Sequence, residues 1–237
     1  MEFTLGRNPS PFDARDYKLS AYIPKLAGLE QSRDWPYNAE PLDQMDKPHC
    51  AGFAGINWEV NAPVESKHTN QDGHDLYYLC KVLDGEPEQE NGSCIRSVAM
   101  VLQYKKRLLA YAWAAHVDEI SWWLLNKGPV ICGTNWTYDM FTPSPEYVIQ
   151  PTGKNMGGHA YIINEKREGF YGIMSSWDNY WGYPGQCKSY MEISQFAELL
   201  RQQGEAMTAV ELPVSTMPVK EGCLSTLIKS FTKGASK

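Results

Sequence analysis

Apolar residues recur at helical spacing in the first half of the chain, after a proline-punctuated stretch at 35 to 48. The run that begins at Cys50 has a buried stripe and ends at Pro63, because proline cannot continue a helix. Further runs follow, the last with Asp118 as its expected N-terminal cap and Gly128 and Pro129 as its stop signal. The pattern predicts helices at 50 to 62, 75 to 83, 94 to 102 and 117 to 126.

Beyond Pro129 the pattern changes to short apolar runs bounded by glycine, proline and asparagine, which is typical of strands. One more short helix is expected at 195 to 202. The predicted strands lie at 130 to 133, 147 to 150, 159 to 164, 169 to 175, 189 to 193 and 206 to 212.

A helical half followed by a strand-rich half predicts an α+β fold of two lobes, at 35 to 129 and 130 to 212, with a ligand-binding cleft between them. Residues 1 to 34 are polar, with a strand-like run at 17 to 23, and are expected to form an extended arm across the surface. Residues 213 to 237 form a tail. Within it, 223 to 233 has the pattern of a short amphipathic helix that docks either on its own domain or on a partner.

Composition and charge narrow the classes of function. The chain has 237 residues, of which 43% are hydrophobic and 21% charged, so a packed core is expected. The formal net charge of −6 argues against nucleic-acid binding as the main task, since phosphate neutralisation needs clustered Lys and Arg. No apolar stretch is long enough to span a membrane. The first residues lack the apolar core of a signal peptide, which predicts the cytoplasm rather than export.

Six cysteines are therefore expected to be free and mostly buried thiols, as is usual in a reducing compartment. None of them stands in a Cys-x-x-Cys pair, so the sequence offers no zinc-ligand spacing, and no cofactor is expected.

Three residues have the properties that thiol chemistry requires. Cys50 lies where a loop gives way to a helix, and free amides there stabilise a thiolate. His159 follows Gly157 and Gly158, which allow a close approach, and begins a strand that holds its ring as a base. Gln44, six residues before Cys50, can share a substrate oxygen with the Cys50 amide. Each residue alone is weak support, because a single buried cysteine or histidine is usually structural.

The order of several motifs carries more weight. Asp34 and Trp35 come first, then the loop LDQMDKPHCAGFA, KGPVICG, GGHAYII, and SSWDNYWG with YMEI. In this combination and order, over residues 34 to about 212, the sequence resembles the papain-like cysteine peptidases. The resemblance implies a papain-like two-lobe fold with a helical lobe and a β-barrel-like lobe. It also implies Cys50 as nucleophile, His159 as base and then acid, and Gln44 in the oxyanion hole, with a protein or peptide as substrate.

A closer resemblance links the chain to a branch of this family that bacteriophages and prophages often encode. It rests on DGHDLY, VLDGEP, TNWTYDMFTP, PTG and GGHAY. It implies a protein of the host cytoplasm that is virion-associated, with phage structural proteins as partners of the arm or the tail.

The sequence departs from the family at position 175, where the family has the residue that orients the histidine. The family has Asn there and this chain has Ser175, whose shorter side chain is expected to reach the ring through a water and to weaken activity. Ala51 replaces a Trp, and Asp178 stands where Gly is preferred and would raise the pKa of Cys50 if close. His49 either perturbs the thiolate or faces solvent.

Trp177 and Trp181 are expected to shield the histidine side of the site, although plain core packing produces the same spacing. Two functions from different classes therefore remain open. One is an active cysteine peptidase that cleaves peptide or isopeptide bonds. The other is an inactive papain-like structural or interaction protein, such as a virion component.

Overall fold

The computed structural model describes residues 3 to 210. The tail at 213 to 237 and its predicted amphipathic helix lie outside the described residues. Five α-helices occur within the described part: α1 Cys50–Val60, α2 Asn70–Asp84, α3 Ile95–Tyr104, α4 Val117–Asn126 and α5 Ile193–Arg201.

Nine strands occur in the same part of the chain, and short 3-10 turns connect some of them. They are β1 Arg7–Asn8, β2 Arg33–Asp34, β3 Ser93–Cys94, β4 Ala110–Trp113, β5 Val130–Thr137, β6 Asn155–Arg167, β7 Phe170–Met174, β8 Lys188–Glu192 and β9 Glu205–Val210.

Strands β4 to β9 form the main sheet in the order β4-β9-β5-β6-β7-β8, and β2 pairs with β6 outside this path. All pairings in this sheet are antiparallel. The path begins at β4 and ends at β8, so the expected barrel-like lobe is an open sheet rather than a closed barrel. Strands β1 and β3 make a separate parallel pair that joins the N-terminal arm to the helical lobe.

The predicted helices all occur, with shifted ends. The α2 helix starts at Asn70 because Thr69 and Asp72 form a capping box, in which the Thr69 amide donates to the Asp72 carboxylate over 2.7 Å. The expected cap at Asp118 is wrong: His116 precedes α4 as its N-cap, and Asp118 lies inside the first turn.

Two sequence-based expectations about strands are wrong, and strand β4 was missed. Residues 147 to 150 make only one isolated bridge, from Val148 to Tyr190. The run at 17 to 23 contains a 3-10 turn, Leu19–Ala21, instead of a strand. Strand β4 was not predicted, because its four residues satisfy their backbone by pairing with β9, almost a hundred residues away.

Two apolar clusters form the core. One fills the strand-rich lobe, and the other packs α1, α2 and α3 together. Three side chains of β5 and β6, those of Ile131, Ala160 and Ile162, belong to the helical cluster, so α1 is seated directly on β6. This packing brings the start of α1, at Cys50, beside the part of β6 that carries His159. None of the helices in the described part is long and apolar enough to cross a membrane.

Candidate active site

Cys50 occupies the first position of α1 and is completely buried. Its Sγ accepts a hydrogen bond from the Ala160 amide over 3.4 Å, which ties it to β6. Burial raises the pKa of the Cys50 thiol to about 11, although the amides of Ala160, Gly6 and Ala51 and the Arg7 guanidinium act in the opposite direction. In this covered arrangement Cys50 is a neutral thiol.

His159 lies on β6, buried in the core, with its two ring nitrogens in different environments. Nε2 is 2.8 Å from Oγ of Ser175, whereas Nδ1 has no hydrogen-bond partner. Burial lowers the pKa of His159 to about 3, so the ring is neutral here. The sequence-based expectation that Ser175 reaches the ring only through a water is wrong, because the contact is direct. The end of β7 next to β6 brings the serine backbone close enough for the short side chain.

Gln44 is buried, and the loop around it pairs with the chain beyond β7. Its amide donates to the Ser176 carbonyl over 2.9 Å, and Asp43 forms a bridge with Trp177. The side-chain Nε2 donates to the carbonyl oxygens of Lys47, at 2.7 Å, and Thr4, at 3.0 Å. Oε1 accepts the Ser176 hydroxyl over 2.7 Å, which sets the orientation of the carboxamide. Gln44 therefore presents a fixed donor to a carbonyl oxygen.

Aromatic rings enclose the imidazole of His159. Trp177 stacks on it with ring centroids 4.2 Å apart, and Trp136 meets it edge-on at 4.8 Å. Trp181 packs against both tryptophans rather than against the histidine. Trp177 and Trp136 thus shield the ring from water, and Trp181 supports them.

One of the two alternatives drawn from the sequence, that His49 faces solvent, is wrong. The His49 ring is buried and stacks on Tyr77, with Nδ1 2.7 Å from His74 Nδ1 and Nε2 3.1 Å from a Glu90 carboxylate oxygen. Burial lowers the pKa of His49 to about 4, against the opposing effect of Glu90. Between residues 3 and 210, no three His, Cys, Asp or Glu side chains are arranged to hold a metal ion.

The other departures from the family pattern have local explanations. Asp178 adopts a φ of 49°, in the left-handed region, which gives a physical reason for glycine at this position in the family. Burial raises the pKa of Cys187, and the charge of Asp178 adds to this effect. Ala51 is buried in the helical core cluster. Five cysteines in the described part are free and buried.

The N-terminal arm does not simply lie across the surface. Residues 3 to 8, which we call the covering segment, pass directly over Cys50. The Gly6 amide donates to the Gly158 carbonyl over 3.1 Å, and the Gly6 carbonyl accepts from the Ser93 amide over 2.9 Å. Phe3 packs on Trp177, with centroids 4.7 Å apart. With the Thr4 carbonyl on Gln44 and the Gly6 amide acting on the Cys50 sulfur, the covering segment contacts both of these site residues.

Close approach at glycines makes this path possible. A Cβ on Gly6 would lie 2.1 Å from the Pro48 carbonyl oxygen, and one on Gly158 would lie 2.1 Å from the Arg7 carbonyl oxygen. A Cβ on Gly92 would meet the Gly6 carbonyl oxygen at 2.2 Å. Gly158 therefore serves the site as a surface on which extended backbone can lie.

Sequence reasoning placed Cys50, His159, Gln44 and Ser175 in one site. The structure puts Ser175 in contact with His159 and the Cys50 sulfur against the amide of the next residue, Ala160, whereas His159 Nδ1 makes no hydrogen bond to Cys50. Sequence reasoning missed Ser176, Trp136 and the covering segment. Ser176 lay within the SSW motif, but a serine beside a tryptophan carries no signal of its own. Nothing in the mixed polar and apolar composition of residues 3 to 8 indicates that they fill a cleft.

Comparison with solved structures identifies the fold. Xylellain, a cysteine protease from Xylella fastidiosa, superposes with a TM-score of 0.68 and 16% identity, covering 87% of this chain and 96% of that chain. A procathepsin B from Trypanosoma congolense superposes with a TM-score of 0.60 and 14% identity, covering 89% of this chain and 87% of that chain. Digestive procathepsin L 3 from the larval midgut of Tenebrio molitor superposes with a TM-score of 0.56 and 11% identity, covering 80% of this chain and 73% of that chain.

These likenesses show that the chain has the papain-like fold. No protein-family model matches the chain, and no curated protein matches its sequence.

Proposed function

We propose that this chain is a papain-like cysteine peptidase that hydrolyses peptide or isopeptide bonds. The observation that carries the proposal is the oriented Gln44 amide, which holds the Thr4 carbonyl oxygen two residues before Gly6, whose amide acts on the sulfur of Cys50 at the start of a helix. The neutral His159, whose Nδ1 has no partner, supports it, since that nitrogen is free to exchange a proton.

The proposed reaction starts with transfer of the Cys50 thiol proton to His159 Nδ1. The thiolate attacks the substrate carbonyl carbon and forms a C–S bond, while Gln44 Nε2 and the Cys50 amide stabilise the oxyanion. Collapse of this intermediate breaks the C–N bond, and His159 gives its proton to the leaving amine. A water that His159 deprotonates then attacks the thioester, releasing the acid and regenerating Cys50.

Ser175 would hold the imidazole during these transfers, because its Oγ contacts Nε2 directly. A hydroxyl can either donate or accept, so it selects the ring tautomer less strongly than the carboxamide oxygen of an asparagine does. We therefore propose an activity that is weaker than that of a peptidase with Asn at this position.

With the covering segment in the site, the structure represents a latent form that cannot bind substrate. Burial under this segment keeps both Cys50 and His159 neutral, and the Thr4 carbonyl occupies the donor that a substrate carbonyl needs. Substrate cleavage requires that the covering segment leave the site.

The test is hydrolysis of a fluorogenic peptide library by the chain and by Cys50→Ala, with every variant built in the Gly6→Ala background, because the added Cβ displaces the covering segment. Loss of hydrolysis in Cys50→Ala, together with faster alkylation of Cys50 than of the other thiols by iodoacetamide, supports the proposal. Cys132→Ala is the matched control, because Cys132 is equally buried in the other core cluster. Equal activity of Cys50→Ala and Cys132→Ala would refute the proposal.

A second candidate function follows from the same covering segment. A site that the chain itself fills is also what an inactive papain-like protein with a structural or binding task would show. Together with the resemblance to a phage-encoded branch, this gives a virion-associated protein of the host cytoplasm that contacts phage structural proteins. If the gene lies in a phage or prophage, mass spectrometry of purified particles from a Cys50→Ala mutant tests this function. Normal assembly with the chain present in the particles would favour it over the peptidase.

A further inference from the structure

The covering segment inserts a charged side chain into the wall of the site. The side chain of Arg7 is only 1% exposed, although arginine is normally a surface residue. Its Nε donates to a Glu205 carboxylate oxygen over 3.1 Å, and its Nη2 donates to the same oxygen and to the Gln203 carbonyl, the latter over 2.7 Å. Glu205 Oε1 also accepts the Ser10 amide over 3.1 Å.

The main sheet provides the pocket that receives this guanidinium. Gly133 on β5 is paired with Glu205 on β9, so the carboxylate lies beside a position that has no side chain. A Cβ on Gly133 would come within 2.8 Å of Arg7 Nε and 2.9 Å of Ile95 Cγ1. The glycine therefore leaves room for an arginine stem, and Ile95 forms the apolar wall along it.

The pocket opens onto the reactive centre. The Arg7 carbonyl lies against Gly158, the residue before His159, and the Gly6 amide acts on the Cys50 sulfur. A backbone that follows this path places one side chain in the pocket of Glu205 while its neighbours pass Cys50.

We infer that this pocket is a substrate subsite for a guanidinium side chain, so that the chain acts on protein segments that carry arginine near the cleaved bond. This inference rests on the proposed peptidase function. When the covering segment leaves, the Glu205 carboxylate, with a side chain 14% exposed, and the Gln203 carbonyl both lose their donor. Such a partly buried carboxylate favours a replacement cation. Because the carboxylate oxygen accepts from two guanidinium nitrogens and the Gln203 carbonyl accepts from one of them, the site favours arginine over lysine.

The test uses the full chain with Arg7→Ala, which empties the pocket. Ethylguanidinium is expected to raise the Tm of Arg7→Ala, whereas the neutral isostere ethylurea at equal concentration is not. The effect should vanish in Arg7→Ala/Glu205→Gln. Arg15→Ala is the matched control, because Arg15 is also an arginine paired with an acid but is 77% exposed. Equal shifts with both compounds would overturn the inference.

Catalysis gives a second, separate measurement. Peptides with arginine or citrulline at successive positions should show a preference of about 10- to 100-fold for arginine at one position, since charged hydrogen bonds are at stake. Glu205→Gln in the Arg7→Ala background should abolish that preference. Should Arg7→Ala not fold, Arg7→Gln replaces it in both measurements.

The two proposals can fail separately. Selective ethylguanidinium binding without cleavage of any peptide would retain the pocket and refute the peptidase. Cleavage with equal rates for arginine and citrulline peptides would retain the peptidase and refute the subsite.

Discussion

The imidazole of His159 and the hydroxyl of Ser175 are in direct contact, with Nε2 and Oγ 2.8 Å apart. The contact joins β6 to the residue that follows β7, and both side chains are buried. It leaves Nδ1 as the nitrogen without a partner. A serine in place of the family asparagine therefore still provides a polar contact to the ring.

Replacing Ser175 by alanine should reduce kcat/KM about 10-fold, because the ring loses the group that orients it. The pH profile of kcat/KM should also shift, since the hydroxyl contacts the titrating ring. Ser189→Ala is the control: this serine is buried on β8, and its hydroxyl has no hydrogen-bond partner. An unchanged pH profile in Ser175→Ala would argue that the serine is only structural.

Replacing Gly6 by alanine should expel the covering segment and, if the proposed function is correct, start peptide hydrolysis. The added Cβ would lie 2.1 Å from a backbone oxygen, a clash that no side-chain rotation can relieve. Iodoacetamide should then label Cys50 at least about 10-fold faster than in the wild type, as measured by mass spectrometry, because exposure removes the desolvation that raises the thiol pKa.

Asn8→Ala is the control for this effect, since the Asn8 side chain is exposed and contacts only the Asn91 carbonyl, over 3.2 Å. Equal labelling rates of Cys50 in the wild type, Gly6→Ala and Asn8→Ala would show that the covering segment does not limit access to the thiol.

Replacing Ser176 by alanine should disturb the oxyanion site without touching the nucleophile. Oε1 of the buried Gln44 would lose its donor, which costs about 1 to 3 kcal/mol for an unsatisfied buried acceptor. The carboxamide would then be free to rotate, so kcat should fall about 10-fold while iodoacetamide still labels Cys50. An undiminished kcat would remove Ser176 from the proposed site.

Acid should destabilise the folded chain because of two buried histidines. The pKa values of His159, about 3, and His49, about 4, lie below the usual value of 6.5. The unfolded chain therefore takes up protons first as the pH falls, and stability is lost between about pH 6.5 and pH 4. Each histidine should contribute on the order of 1 kcal/mol per pH unit within this window.

Urea unfolding at pH 7.5, 5.5 and 4.5 measures this loss of stability. His159→Gln should make the pH dependence shallower, whereas His116→Gln, a change at an exposed histidine, should leave it unaltered. The same slope in both variants would show that buried neutral His159 is not responsible.

The sequence by itself determined the papain-like fold, because the spacing of apolar residues and the order of the motifs both depend on local chemistry. The stop at Pro63 and the glycines before His159 are signals of this local kind. The sequence also predicted free and buried thiols, and the five cysteines that the structure describes are free and buried. Helix ends were less certain, since caps such as Thr69 compete with neighbouring residues.

Only the tertiary structure decided how the site is occupied. Strand β4, the direct contact of Ser175 with His159 and the burial of His49 all depend on partners that are distant along the chain. The position of the covering segment also depends on distant partners. Close backbone approach at glycines and one buried ion pair, Arg7 with Glu205, hold the segment in the cleft. Arg7 and Glu205 are 198 positions apart, so a single sequence does not reveal that they pair. Taken alone, each residue is indistinguishable from an ordinary charged surface residue.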